Sequence, residues 1–123
     1  INYIETNFLN KSKYDCIFLP NGHDSHFEHR FVNGFGNALI RNSKISTVEY
    51  YTASTQDTWN PNFYVDSSGS IERKRKLLKT SFESQSDRYY FQDKVINAFH
   101  SDFQCSKKGM DYVEKFKITN HYR

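Results

Sequence analysis

Three histidines stand three residues apart at His23, His26 and His29, a spacing that invites a metal site. A helix turns about 300° over three residues, so a second such step swings the third side chain off any common face. The order matches neither HExxH nor HxxEH, and no cysteine or second carboxylate cluster completes the set. Capping or surface histidines are the reading, and neither a metal nor any other cofactor is expected. Metal-free cleavage of a phosphodiester would need a base, an acid for the leaving oxygen and a cation for the developing charge. Glu49, Arg73 or Arg75, and His100 are the combination that offers these groups. Nothing in the sequence brings them together. Glu49 reads instead as a solvent-side strand residue paired to a lysine, and no catalytic residue is expected.

The run Arg73-Lys74-Arg75-Lys76, with Lys79 behind it, is a stronger signal. Read as a strand, it sends Arg73 and Arg75 to one face and Lys74 and Lys76 to the other. Such a strand is buried on neither face and belongs to a sheet edge or a protruding hairpin. It then either guards an exposed edge or forms a phosphate-binding rib beside tyrosines that stack on bases. No Gly-rich phosphate loop, GxSxG or P-loop is present, and Asn33-Gly34-Phe35-Gly36 lies inside a helical stripe.

The elements that must position these groups are read from periodicity. Residues 1–12 form an N-terminal arm. Lys13 to Leu19 reads as a strand stopped by Pro20-Asn21-Gly22. Ser25 and Glu28 have capping-box spacing, and Phe27, Phe31, Val32, Phe35, Ala38 and Leu39 form one apolar stripe on a helix ending near Arg41. Gly34 and Gly36 weaken that helix and permit close packing on a sheet. Ile45 to Tyr51 reads as a strand. Asn62 to Val65 and Ser70 to Leu78 read as a hairpin around Asp66-Ser67-Ser68-Gly69. Arg88 to Phe91 suggests another strand, and Lys94 to His100 fits strand or helix equally. Lys107-Lys108-Gly109 is a turn, and Tyr112 to Ile118 alternates as a final strand. The order predicts one α+β domain over residues 1–123, its single helix covering one face of an antiparallel sheet.

Composition bounds the function classes. The 123 residues are 37% hydrophobic with mean hydropathy -0.82, lean for a core, yet eleven Phe, nine Tyr and one Trp bury large areas each. Disorder is excluded, and no apolar run approaches the roughly 20 residues of a membrane helix, so no membrane partner is expected. Nine tyrosines exceed what a core with few polar partners holds, which puts some of them on a surface. Seventeen Lys and Arg against 14 Asp and Glu give +3 and a pI near 8.8. No basic segment followed by an apolar one opens the chain, as in a mature, trimmed form. Cys16 and Cys105 are either two unrelated buried thiols or one disulfide across the domain.

Tyr14-Asp15-Cys16 resembles the aromatic-x-Cys motif of secreted effectors from powdery mildew fungi. The succession that follows is similar to their RNase-like group, the RALPH proteins: an apolar helix ending in Ala38-Leu39-Ile40-Arg41, Tyr-rich segments including Tyr89-Tyr90-Phe91, and the late Cys105. The resemblance spans most of residues 13–105. It implies a fold like fungal T1-type ribonucleases, a Cys16–Cys105 disulfide, secretion and delivery into the host-cell cytoplasm. It also implies loss of the ribonuclease catalytic set, with action through plant host proteins or RNA. Perception by a host nucleotide-binding leucine-rich-repeat immune receptor is a further implication. Arg73, Lys74, Arg75 and Lys76 are the binding residues expected on this reading. An active metal-free ribonuclease using Glu49 and a histidine is the alternative. The chain departs from the group in the extra strand-like segment after Cys105.

Overall fold

The structure, a computed structural model, describes residues 1–119. Strands β1 (Cys16–Pro20), β2 (Ser46–Tyr50), β3 (Phe63–Asp66) and β4 (Val113–Thr119) form a sheet in the order β1-β2-β4-β3. The helices are α1 (Asn2–Ile4), continued by a π-helical turn at Glu5–Leu9, α2 (Phe27–Leu39), α3 (Ile71–Ser81), α4 (Asp93–Phe99) and α5 (Phe103–Lys107). The class is α+β. The sheet is mixed rather than antiparallel, because β1 reaches β2 through α2. A helical crossover returns the chain to the same end of the sheet and makes the pair parallel, with Cys16 opposite Ser46 and Pro20 opposite Tyr50. β2 and β4 are antiparallel, with Tyr50 opposite Phe116. The helix is not single, and the chain divides into two compact units.

The first unit holds Ile1–Phe63 and, among the described residues, 116–119. Its core is Leu39, Ile40 and Ile45, against which Ile4, Leu9 and Ile17 pack, so the N-terminal arm is helical and helps close the core. The phenylalanine stripe of α2 is not that core. Phe27 and Phe31 are 69% and 63% exposed, and Phe35 is exposed as well. Gly36 decides which side turns inward: a Cβ there would stand 2.3 Å from Leu19 Cδ2, so only glycine lets the helix lie this close to β1. The phenylalanine part of the stripe therefore points away, and only its far end, at Leu39, enters the core. Nor does the Ser25–Glu28 capping box form. The Ser25 hydroxyl donates to the Ser54 carbonyl at 2.9 Å, and the cap is His26, whose Nδ1 accepts from the Glu28 N–H at 3.2 Å.

The second unit holds Tyr64–Lys115. Ser70 to Leu78, expected as the second arm of a hairpin, belongs to α3. The inward positions are Ile71, Lys74, Arg75 and Leu78, a helical i, i+3, i+4, i+7 set in which Ile71 is buried and the other three are half-buried. Two of the four carry cations, whose long stems take the inward positions of a helical stripe, and that masks the helical period. Lys, Arg, Glu and Leu are also strong helix formers. Tyr89–Phe91 is a 3-10 turn rather than a strand, and Lys94 to His100 resolves as helix. Ile96, Cys105 and Val113 are buried in this unit.

Candidate functional site

Asp24 is fully buried in the first unit. Its Oδ1 accepts from the His26 N–H at 2.8 Å and the Ser54 hydroxyl at 2.5 Å. Its Oδ2 accepts from His29 Nδ1 at 2.9 Å and from the Thr52 hydroxyl. Burial by itself raises a carboxyl pKa, but these four donors outweigh it and hold Asp24 at about 2. The carboxylate thus ties the start of α2 to the loop after β2. His26 and His29 stack at 4.6 Å between ring centroids, while His23 Nδ1 lies 2.9 Å from the Thr58 hydroxyl. Among the described residues no three His, Cys, Asp or Glu come together to hold a metal ion. Sequence reasoning misses Asp24. Its one local signal is an Asp two residues before a helix cap, where an Asx turn forms.

Glu49 stands opposite Lys117 in the β2–β4 register, but the hydrogen bonds of its carboxylate come from elsewhere in the first unit. Oε2 accepts from the Gly22 N–H at 3.0 Å and from Asn33 Nδ2 at 2.7 Å, and Oε1 from Trp59 Nε1 at 3.2 Å. Strand alternation puts the side chain on the face that α2 covers, and Asn33 meets it there. Asn33 itself donates to the Pro20 carbonyl at 2.8 Å and accepts from Asn37 at 3.2 Å. Both Glu49 oxygens are engaged, so the residue that could have served as a base is a structural acceptor.

In the second unit the four basic residues separate by helical phase. Arg75 and Lys76, with Arg73, line a groove of about 620 Å³ with Glu72, Lys79 and Asp93. Arg75 donates to Asn97 Oδ1 at 2.6 Å and lies 5.9 Å from the centroid of the Tyr112 ring, and Lys79 pairs with Asp93. Lys74 is turned the other way, donating to Glu114 Oε1 at 2.5 Å with its ammonium 2.7 Å from His100 Nε2. His100 is buried, so the acid of the catalytic alternative is locked inside the second unit. Glu49 belongs to the first.

Among the described residues, Arg73 and Lys76 are the exposed cations left without an acidic partner on the groove. Residues 71–94 hold seven Lys and Arg against four Asp and Glu, which accounts for the whole +3 of the chain. The same unit carries an aromatic succession that starts one residue beyond α3. Phe82 meets Phe91 at 6.2 Å, Phe91 meets Tyr90 at 5.0 Å, and Tyr90 meets Tyr89 at 5.4 Å, with Tyr89 63% exposed. The residues expected to form a basic rib beside tyrosines are therefore neighbours, but on a helix, with Lys74 withdrawn from the set.

Cys16, exposed at the start of β1, and Cys105, buried in α5, are both free thiols, so the bridge implied by the resemblance is absent from this structure. Among the described residues no helix is long and apolar enough to cross a membrane. Comparison with protein-family models, with curated proteins and with solved structures gives no match.

Proposed function

We propose that this chain is a non-catalytic, RNase-like secreted effector that acts inside a plant host cell by binding a polyanionic partner, RNA or an acidic host protein, through the basic surface of α3. The observation that carries the reading is the placement of the net positive charge: all of it falls within residues 71–94, where Arg73 and Lys76 face solvent unneutralised. The acid–base groups nominated for catalysis are committed elsewhere, Glu49 to three donors and His100 to the interior. Recognition by a host nucleotide-binding leucine-rich-repeat receptor belongs to the same proposal, as does a T1-type ribonuclease ancestry of the fold.

The test is binding of a single-stranded RNA oligonucleotide and of an acidic polypeptide across a salt series. The wild type should bind with a negative salt slope. Arg73→Glu with Lys76→Glu should weaken binding at least tenfold and flatten the slope by about 0.7 for each phosphate no longer neutralised. Salt-independent binding, or an unchanged slope in the double variant, removes α3 from consideration. The protein should not cleave the RNA.

A second reading, metal-free cleavage, is favoured by one arrangement. His29 is 38% exposed, and its Nδ1 donates to buried Asp24, which leaves Nε2 as an acceptor in the manner of a carboxylate-oriented general base. Cleavage that disappears in His29→Ala would establish this reading over the first.

A further inference from the structure

In the second unit His100 closes α4 with 4% of its surface exposed. Its Nδ1 lies 2.7 Å from the Ile96 carbonyl oxygen, which only accepts, so Nδ1 carries the proton of the neutral ring. Nε2 is then an acceptor, and it faces the Lys74 ammonium, which only donates. The same ammonium donates to Glu114. From the Ile96 carbonyl through His100 and Lys74 to Glu114, every donor meets an acceptor, with the Lys74 ammonium donating to both of its neighbours. A second proton on His100 breaks that order. Nε2 becomes a donor pointed at a donor, and two cations stand 2.7 Å apart, one of them on a buried ring.

We infer that His100 is an acid-sensitive latch on the basic surface: neutral, it holds Lys74 inward on Glu114, and protonated, it releases Lys74 to the solvent side of α3. The inference rests on the α3 reading above and states how that surface is regulated. An acidic setting adds one cation to the groove side and tightens binding of a polyanion, while loosening the packing of α3 on α4.

The charged groups facing His100 are Lys74 from α3 and Glu114 and Lys115 from β4. Burial is the largest influence and pushes the imidazole below its ordinary 6.5. The Ile96 carbonyl and Glu114 work against it, and Lys74 and Lys115 add to it. Because the folded affinity for the proton is the lower one, the unfolded chain takes it up first. The latch's stabilisation is complete above pH 6.5 and is lost as the pH falls below that value.

The full chain is compared with His100→Gln, whose amide oxygen can still accept from Lys74 but cannot titrate. Urea midpoints and binding to oligouridylate over a salt series are measured at about pH 7.5 and about pH 5.5. In the wild type the folding equilibrium constant should fall by up to about tenfold per pH unit below the transition. Binding should tighten several-fold, and the salt slope should steepen by about 0.7. His100→Gln should lose most of these changes. Lys74→Met, which removes the opposing ammonium, should flatten the pH dependence of the urea midpoint even if His100→Gln folds poorly. Equal pH dependence in all three proteins overturns the latch. Absence of oligouridylate binding by the wild type at both pH values overturns RNA as the partner of α3, and the urea midpoints then still decide whether His100 controls Lys74.

Discussion

At the scale of single residues, the best-determined group in the molecule is Asp24, a buried carboxylate with a donor on every side. Replacing it by alanine leaves the His26 N–H, the Ser54 and Thr52 hydroxyls and His29 without their acceptor. That should cost about 3 kcal/mol or more, read as a drop in urea-unfolding free energy. Its pH signature has a fixed sign. Because the folded pKa is lowered from 3.8 to about 2, the stabilisation of about 2 kcal/mol is complete above pH 5 and lost as the pH falls toward 2. Asp24→Asn should remove this acid limb from a stability–pH profile. An acid limb retained in that variant would assign the proton uptake to other carboxylates. Glu49 is the contrasting case. Its strand position is legible in the sequence, but its partners Gly22, Asn33 and Trp59 come from three separate stretches of chain, and no spacing rule brings them together.

At the scale of elements, α2 and α3 show two ways in which period and burial part company. In α2 the period is legible and its direction is not. The phenylalanines define a face, yet Gly36 lets the opposite face approach β1, and close packing of Gly36 on Leu19 is kept at the cost of three exposed rings. The two glycines should separate cleanly on substitution. Gly34 has open space around a Cβ, so Gly34→Ala should stabilise by about 0.5–1 kcal/mol through helix propensity. Gly36→Ala drives a methyl into Leu19, itself buried, and should destabilise by about 1–3 kcal/mol despite the same propensity gain. Thermal midpoints of the two variants moving in the same direction would refute this packing. In α3 the period itself is masked, because Lys74 and Arg75 stand where an apolar pair would announce a helix.

At the scale of the whole molecule, the chain crosses between its two compact units at Phe63–Tyr64 and at Lys115–Phe116. Cys16 lies in the first unit and Cys105 in the second, so a disulfide would add a third covalent link, whereas free thiols leave only the two crossings. The structure predicts a graded reactivity. Cys16 is exposed, and Cys105 is buried with its thiol pushed up by that burial. Without reductant, a thiol reagent should therefore add once quickly and a second time only after denaturation. An intact mass that rises on reduction, with no labelling beforehand, would replace the free pair by the bridge that the aromatic-x-Cys resemblance implies.

Sequence by itself determined the α+β class, strands β1, β2, β3 and β4, the existence of α2 and the concentration of positive charge near residue 75. These follow from local period and composition, which the chain carries wherever it folds. The tertiary structure alone decided the parallel pairing of β1 with β2, the outward turn of the α2 phenylalanines, the enclosure of Asp24 and the withdrawal of Lys74 onto His100 and Glu114. Each of these depends on which surfaces meet. That choice is made by close packing at sites such as Gly36 and by the need to satisfy buried polar groups such as Asp24, and neither has a signature in the spacing of residues along the chain.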